Sequence, residues 1–287
     1  MTEIFKKDLK SSLCNMTGAI FIAYVLMWFG IYTVAINLAG MASQFEYTVL
    51  NASFVSLLAL PILTMRSFAE EKNAKTDQLL YSLPINTISI VAGKFLAVTT
   101  VFAVPVVITC IYPFILSIYG TVYLNTAFSS IIAYFFLGCL IISVGMFISS
   151  LTESQTLSAI LGIGAVILIY FMTSIGDLIS DDPSTSLAIL IVLSAALGFV
   201  TYKLMNNIIA GISTGVVLAA VCLIVYAAKS SLFAGLVPTV ISALDPFQKL
   251  FNFASGIFDV SSIVYFISVT VFFLFLTVQS MEKKRWN

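Results

Sequence analysis

The sequence predicts an all-α polytopic membrane protein. Hydrophobic residues make up 60% of the chain, charged residues only 9%, and the mean hydropathy is +1.10, whereas soluble domains are about half apolar and about a quarter charged. Uncharged apolar runs of about 20 residues, the length that crosses a bilayer as a helix, recur along the chain. Because lipid offers no hydrogen bonds to the backbone, these runs are expected to be helical.

The apolar runs predict about eight transmembrane helices. The uncharged run 95–152 is too long for one helix and divides into two spans at "YGTVYLN", residues 119–125. Pro105 and Pro113 are expected to bend the first of these, because each removes a helix hydrogen bond. The other predicted spans are residues 17–38, 47–65, 154–173, 187–202, 204–228 and 260–281.

Two details of these spans bear on the structure. "TESQ", residues 152–155, fits a capping box that starts the fifth span, with Thr152 as the N-cap and Gln155 reaching back to it. The run 187–202 is short, so it either spans the membrane or forms a re-entrant pair with 204–228. Both arrangements return the chain to the same side.

The positive-inside rule orients these spans. With the N-terminus in the cytoplasm, only Lys229 and Lys249 of the 13 Lys and Arg residues fall outside. The C-terminal "EKKRWN" then also lies in the cytoplasm. The sequence therefore predicts a multi-pass protein of the cell membrane with both termini cytoplasmic.

The residue types present argue against an enzyme. The chain has no histidine, which removes the commonest general base and metal ligand and excludes a rhomboid-like protease. The aspartates all lie in predicted loops, so the paired membrane aspartates of an aspartyl intramembrane protease are also excluded. The 4 cysteines are widely spaced without a C-x-x-C pair, and no disulfide or metal site is predicted from them.

The sequence also limits how transport could be powered and which substrates could be transported. "VAGKF", residues 91–95, lacks the glycines and the following Ser or Thr of a phosphate-binding loop, so no cofactor is expected in this chain. The predicted spans hold almost no ionisable residues, which ion-coupled transporters usually carry along their path. An apolar or amphiphilic substrate, such as a lipid-linked molecule or a peptide, fits better. The net charge of zero gives no reason to expect nucleic acid.

A charged segment, "MRSFAEEKNAKTDQLLYSLPI", lies between the second and third spans, on the cytoplasmic side. Residues 66–83 are predicted to be one helix, because Glu71 and Lys75 form a favourable i,i+4 pair and no Gly or Pro precedes Pro84. Its apolar face consists of Phe68, Leu79, Leu80 and Leu83. Two interpretations fit this segment: a solvated helix that only supplies topogenic charge, or a helix that docks on a cytoplasmic partner.

Two further segments are amphipathic. Residues 1–14 place Phe5, Leu9 and Leu13 on one face of a helix and the lysines mainly on the other, as an interfacial helix does, and a plain positively charged tail is the alternative. Residues 229–259 are extracellular in the predicted topology and end in an apolar stripe that contains Phe247 and Phe251, with Asp259 on its polar side. This stripe could line an exit gate or simply anchor the last span.

The charged segment and the start of the third span, residues 66–95, resemble the cytoplasmic loop of type-2 ABC exporter permeases, in particular the gliding-motility-like branch. The chain departs from that pattern at Lys75, where the family usually has Gly, and at Gln78, where it usually has Glu. "SSLTESQ", residues 149–155, resembles the family's turn between the fourth and fifth spans. The run 244–286 resembles its C-terminal signature.

The resemblance implies a fold. The chain would be a single type-2 ABC exporter transmembrane domain over residues 1–287, with a core of about six spans. Its parts would be an N-terminal elbow helix at 1–14, a cytoplasmic coupling helix at 66–83, an inserted helix pair at 187–228 and the extracellular amphipathic segment at 229–259.

The resemblance also implies partners. ATP and Mg²⁺ would be bound by a separate ABC ATP-binding subunit, present in two copies and docked on the coupling helix. A second permease would complete a homodimer or heterodimer within the membrane lipids, and an extracytoplasmic auxiliary protein could join them. The residues expected to couple to the ATPase are Arg66, Phe68, Glu70, Glu71, Lys72, Thr76, Leu79 and Leu80. The candidates for an extracellular gate are Phe247, Phe251 and Asp259.

The function that follows is that of a permease subunit moving its substrate out of the cell. The alternative from another class is a membrane scaffold or immunity protein that transports nothing. A docking helix would then have no purpose.

Overall fold

The computed structural model describes residues 2–14, 16–75, 86–205 and 208–286, and all regular structure in these residues is helical. In chain order the helices are α1 (Thr2–Cys14), α2 (Met16–Tyr32), α3 (Glu46–Leu57), α4 (Leu60–Thr64), α5 (Arg66–Asn73), α6 (Thr87–Thr109), α7 (Ile111–Tyr119), α8 (Leu124–Leu151), α9 (Gln155–Tyr170), α10 (Met172–Asp177), α11 (Pro183–Met205), α12 (Ile208–Ala228), α13 (Leu236–Leu244), α14 (Pro246–Ala254) and α15 (Val260–Trp286). A π-helix (Thr33–Ala39) continues α2, and a 3₁₀ turn (Ser230–Phe233) follows α12.

The lengths of these helices make the chain a multi-pass membrane protein. In the described part of the chain, 4 helices are long and apolar enough to cross a bilayer: Met16–Ala39, Thr87–Tyr119, Leu124–Leu151 and Val260–Lys283. The pair Glu46–Leu57 and Leu60–Asn73 qualifies together but is bent by 41°. The described apolar parts of α9, α11 and α12 are shorter than a span. The total of about eight spans therefore stays a prediction.

The third predicted span is interrupted at Cys110, between α6 and α7. Pro113 has no N–H to donate to the carbonyl of Thr109, four residues earlier, so the helix loses a hydrogen bond at this point. Pro105 lies inside α6, and the Thr109 hydroxyl donates to its carbonyl oxygen at 2.8 Å. Pro113 thus accounts for the position of the interruption.

The chain forms two compact units, Met1–Tyr170 with Pro246–Asn287, and Phe171–Asp245. Helix α8 is the centre of the first unit, where it contacts α3, α4, α6, α9, α14 and α15 and is the most buried of the long helices. In the second unit α11 and α12 pack along each other. There the hydroxyl groups of Thr201 and Thr214 lie 2.7 Å apart.

The turn between α8 and α9 differs from the predicted capping box. Thr152 is not the N-cap of α9; it ends α8, and its hydroxyl donates to the carbonyl of Ile148 at 3.1 Å. Ser154 takes the N-cap position instead, because its hydroxyl accepts the N–H of Leu157, in the first turn of α9, at 3.5 Å. At this break, the hydroxyl of Thr152 forms a hydrogen bond at the end of α8 and the hydroxyl of Ser154 forms one at the start of α9.

Helix α4 approaches α8 and α9 at two glycines. A Cβ at Gly145, on α8, would overlap the hydroxyl of Thr64. A Cβ at Gly162, on α9, would lie 2.7 Å from Cβ of Pro61. Both glycines therefore fix the position of α4, from which the charged helix α5 continues.

Candidate functional site

The charged segment begins as α5, immediately after α4, and its N-terminus is capped by another helix. Met65 occupies the N-cap position without a capping side chain of its own. Ser149, near the end of α8, supplies the cap. Its hydroxyl accepts the N–H groups of Phe68 at 3.2 Å and Ala69 at 3.1 Å, and it donates to the carbonyl of Met65 at 3.1 Å. Because Ser149 is fully buried, it holds the backbone of α5 against the end of α8.

A second contact joins the same two helices. The Lys72 ammonium donates to the carbonyl of Ser150, and the Ser280 hydroxyl of α15 approaches that carbonyl at 3.5 Å. The carbonyls of the last turn of α8 have no partner within the helix and carry its negative dipole end, so a cation is favourable there. Helices α5, α8 and α15 therefore meet at the end of α8.

A buried lysine ties α5 to two more helices. The Lys94 ammonium, on α6, lies 2.9 Å from Oε1 of Glu71 on α5 and 3.4 Å from Oδ2 of Asp8 on α1. Only 3% of Lys94 is exposed, and a buried charge persists only when it is paired. Asp8, Glu71 and Lys94, called the ionic triad below, therefore connect the N-terminal helix, the charged helix and the third span.

Phe68 is placed differently from what the sequence suggested. Its ring is 3% exposed and belongs to the core of the first unit, and the Lys94 ammonium lies 5.3 Å from the ring centroid. That distance is within the range of a cation–π contact. In this structure Phe68 anchors α5 to its own protein and is not available on the surface to anchor a partner.

Exposed polar and charged residues lie toward the C-terminal end of α5. Glu70, Asn73 and Lys75 are exposed, whereas Glu71 and Lys72 are half-buried in the contacts above. The helix ends at Asn73 and Ala74 is its C-cap, so within the described residues it is shorter than the predicted 66–83. Lys75 has φ +54°, a left-handed conformation that favours glycine. Lys75 is thus outside the helix, and the predicted i,i+4 pair with Glu71 is replaced by the pair of Glu71 with Lys94.

The remaining coupling residues divide into two groups. Arg66 starts α5 and is half-buried, and its Nε is buried without a hydrogen-bond partner among the described residues. Thr76, Leu79 and Leu80 lie outside the described residues.

Two of the three candidates for an extracellular gate, Phe247 and Asp259, have side-chain partners within the protein. Phe247, on α14, packs edge-to-face on Tyr170 of α9, with ring centroids 5.0 Å apart. Phe251 is 50% exposed. Asp259 caps α15, because its carboxylate accepts the hydroxyl of Ser262 at 2.7 Å and the N–H of Ser261 at 2.9 Å. The hydrogen bond from Ser262 is the main reason why the pKa of Asp259 is lowered.

Sequence reasoning missed three residues of this site: Asp8, Ser149 and Lys94. Lys94 could have been found, because a lysine close to an apolar span needs a partner or a function. Ser149 lies in the recognised "SSLTESQ" motif, but nothing in that motif names the helix that it would cap. Asp8 gives no signal of its own, since it is one charge among several on an amphipathic helix.

These contacts join α5 directly to α6 and α8, and they join it to α1 through Lys94 and to α15 through the carbonyl of Ser150. In the part of the chain that the structure describes, no group of three or more Cys, Asp or Glu side chains is placed to hold a metal ion.

Comparison with known proteins gives one match. The model of a family described as ABC-2 family transporter protein matches residues 31–180, just over half of the chain. The matched range contains Glu71, Lys94 and Ser149, while Asp8 precedes it. No curated protein sequence and no solved structure shows significant similarity to the chain.

Proposed function

We propose a permease function for this chain because it belongs to the ABC-2 family of transporter proteins. The family match over residues 31–180 confirms the resemblance that the charged segment and the "SSLTESQ" turn indicated, whereas the C-terminal signature lies outside the matched range. The chain would be the membrane-spanning subunit of an ABC exporter, and a separate ATP-binding subunit would bind ATP and Mg²⁺. Two permeases and two ATP-binding subunits would form the complete transporter.

The observation that carries this proposal is the way α5 is held. Ser149 and the ionic triad fix α5 to the ends of the spans, and Glu70, Asn73 and Lys75 remain exposed. A helix that is held by buried contacts and still carries exposed charges can act as a lever between two bodies. The ATP-binding subunit would contact the exposed charges, which would steer and orient the complex.

The path of the movement follows from the same contacts. When the ATP-binding subunits close on ATP, α5 would be displaced with them. Glu71 would move Lys94 and α6, Ser149 would transmit the displacement to α8, and Asp8 would carry it to α1. Phe68 would keep α5 in contact with the core during this movement, since its ring is buried.

The cargo and direction of transport are part of the proposal. We favour export of an apolar or amphiphilic substrate, because charges are almost absent from the long helices apart from Lys94 and their ends. Both termini and α5 would lie in the cytoplasm, in agreement with the positive-inside rule. Phe251 and its neighbours would then face the extracellular side.

Topology is tested by cysteine labelling in a background without native cysteines. Asn73→Cys should react only with a reagent that enters the cytoplasm, whereas Ser180→Cys should react with an impermeant reagent from outside. Labelling of position 73 from outside would place α5 on the wrong side for an ATP-binding subunit. It would therefore overturn the proposed function.

Docking is tested by charge reversal at Lys75, which is exposed just after the end of α5. Lys75→Glu should leave membrane insertion normal, because Lys75 lies outside the spans, but reduce copurification of the cognate ATP-binding subunit and its ATP hydrolysis in the complex. Lys10→Glu is the matched control, since Lys10 is an exposed lysine on the same predicted side, on α1. Unchanged copurification in Lys75→Glu would contradict docking on α5.

A further inference from the structure

A cavity of about 320 Å³ lies where α1, α4, α5 and α6 come together. Its volume is at the lower end of the range of small-molecule sites, about 300–1,000 Å³. Thr17 at the start of α2, Arg66 at the start of α5 and Lys94 near the start of α6 all line it. The cavity therefore lies at the level where apolar helices end and charged segments begin, which is the level of lipid headgroups.

The charges that line the cavity balance. The cations are Lys7, Arg66 and Lys94, and the anions are Asp8, Glu70 and Glu71. An anionic ligand would disturb this balance, as would a cationic one. A ligand that carries one charge of each sign would not.

Two of the three cations that line the cavity form no ion pair among the described residues. Lys94 is occupied by the two carboxylates of the ionic triad. Among the described residues, neither Lys7 nor Arg66 forms an ion pair, and Nε of Arg66 is buried without a hydrogen-bond partner. A buried guanidinium nitrogen without a partner is costly, and phosphate oxygens match its geometry.

The carboxylates that line the cavity could bind the positive group of a ligand. The ionic triad has one positive and two negative charges, so it carries an excess of negative charge. Glu70 lines the same cavity and forms no ion pair within the described residues. An ammonium group with N–H donors would find carboxylates in the same cavity that Arg66 lines.

The walls indicate that the ligand has an apolar part. Ile62, Leu63 and Val98 line the cavity beside the charged residues, and Ile62 is 46% exposed. One wall is α1, an amphipathic helix of the type that lies in a membrane interface. An acyl chain could leave the cavity along such a surface, whereas a soluble ligand would gain nothing from it.

We propose that this cavity binds a zwitterionic glycerophospholipid of the inner leaflet that carries a phosphate and a primary ammonium group. The phosphate lies against Arg66 and Lys7, and the ammonium lies against Glu70 and the ionic triad. The lipid thereby joins α1 to α5. The cavity shares Glu70 and the ionic triad with the proposed coupling path, but binding requires neither ATP nor cargo, so it can be tested on the purified chain alone.

The test measures binding of phosphatidylethanolamine to the purified full chain, by native mass spectrometry and by thermal shift in detergent. Arg66→Gln should weaken binding about tenfold or more, because a charge-assisted hydrogen bond is lost. Arg66→Lys, which keeps the charge, should weaken it less. A monodisperse size-exclusion profile establishes that each variant is folded.

A matched pair of lysines on α1 supplies the control. Lys7 lines the cavity, whereas Lys10 is exposed on the same helix and does not line it. Lys7→Gln should weaken phosphatidylethanolamine binding, and Lys10→Gln should leave it unchanged. Equal effects of the two substitutions would mean that only the general charge of α1 matters, and the proposal would be overturned. Full binding in Arg66→Gln would overturn it as well.

Two further measurements test the lipid selectivity of the cavity and the source of its ligand. Glu70→Gln adds one unit of net positive charge to the cavity, so it should shift preference from phosphatidylethanolamine toward anionic phosphatidylglycerol. A purely structural role of Glu70 would not change this preference. Soluble phosphoethanolamine and inorganic phosphate should bind far more weakly than the lipid, and if either stabilises the chain as strongly, the ligand is not a lipid.

Discussion

The ammonium of Lys94 lies 2.9 Å from Oε1 of Glu71, which joins the third predicted span directly to the charged helix α5. The same ammonium lies 3.4 Å from Asp8 of α1. Lys94 is almost fully buried, so water does not weaken these contacts as it does at a surface pair. Movement of α5 without movement of α6 and α1 would require this buried pair to separate.

Lys94→Met should destabilise the protein by about 3 kcal/mol or more, because it removes the buried cation that pairs with both Glu71 and Asp8. The measurement is thermal unfolding of the purified chain in detergent. Lys94→Met combined with Glu71→Gln and Asp8→Asn removes both uncompensated charges and should recover much of the loss. If the triple variant is no more stable than the single one, the loss reflects packing of the lysine stem and not its charge.

Ser149→Ala should cost about 1–3 kcal/mol, since it leaves the N–H groups of Phe68 and Ala69 buried without an acceptor. It should also increase hydrogen exchange in α5. Ser143→Ala is the matched control: Ser143 is buried on the same helix, but its hydroxyl bonds only to the carbonyl of Leu140, in its own helix. Equal effects of the two substitutions would show that Ser149 has no special role in capping α5.

Gly162→Ala and Gly164→Ala should have opposite effects although both positions lie on α9. A Cβ at Gly162 meets Pro61 at 2.7 Å, so the substitution should push α4 away and cost about 1–3 kcal/mol. A Cβ at Gly164 meets nothing within 4 Å, so alanine there should stabilise the helix by about 0.5–1 kcal/mol. Thermal unfolding compares them, and a similar loss at both positions would refute the close approach of α4 and α9.

Lys75→Gly should stabilise the end of the charged segment by about 1 kcal/mol, because glycine adopts the left-handed conformation at φ +54° without strain. Ala74→Gly is the control one residue earlier, where φ is −78° and glycine only adds freedom to the unfolded chain. That change should be neutral or destabilising. Protease sensitivity after Asn73 measures both, and a loss of stability in Lys75→Gly would contradict the left-handed assignment.

The sequence by itself determined the class of protein and the positions of its long apolar helices at Met16–Ala39, Thr87–Tyr119, Leu124–Leu151 and Val260–Lys283. Apolar runs of spanning length can be buried only in lipid, and a backbone in lipid must form helices, so composition and run length sufficed. Pro105 and Pro113 were both expected to bend the third span, and the interruption at Cys110 falls at Pro113, whereas the helix continues through Pro105. The motifs at 66–95 and 149–155 were enough to identify the family, which the match to residues 31–180 confirms.

Only the tertiary structure decided what the residues of the charged segment contact. Phe68 was expected to contact the ATP-binding subunit. The apolar pattern of one helix does not show whether an aromatic ring packs against a partner or into the core of its own protein. Glu71 was paired with Lys75 by helical spacing, yet the helix ends at Asn73 and the buried Lys94 is the partner observed. A charged side chain that is buried away from water pairs with the oppositely charged group that the fold places nearest to it, however far apart the two are in the sequence. For the same reason Ser149 caps a helix that begins 83 residues before it, at Arg66, because a capping hydroxyl needs only to reach the unpaired N–H groups in space.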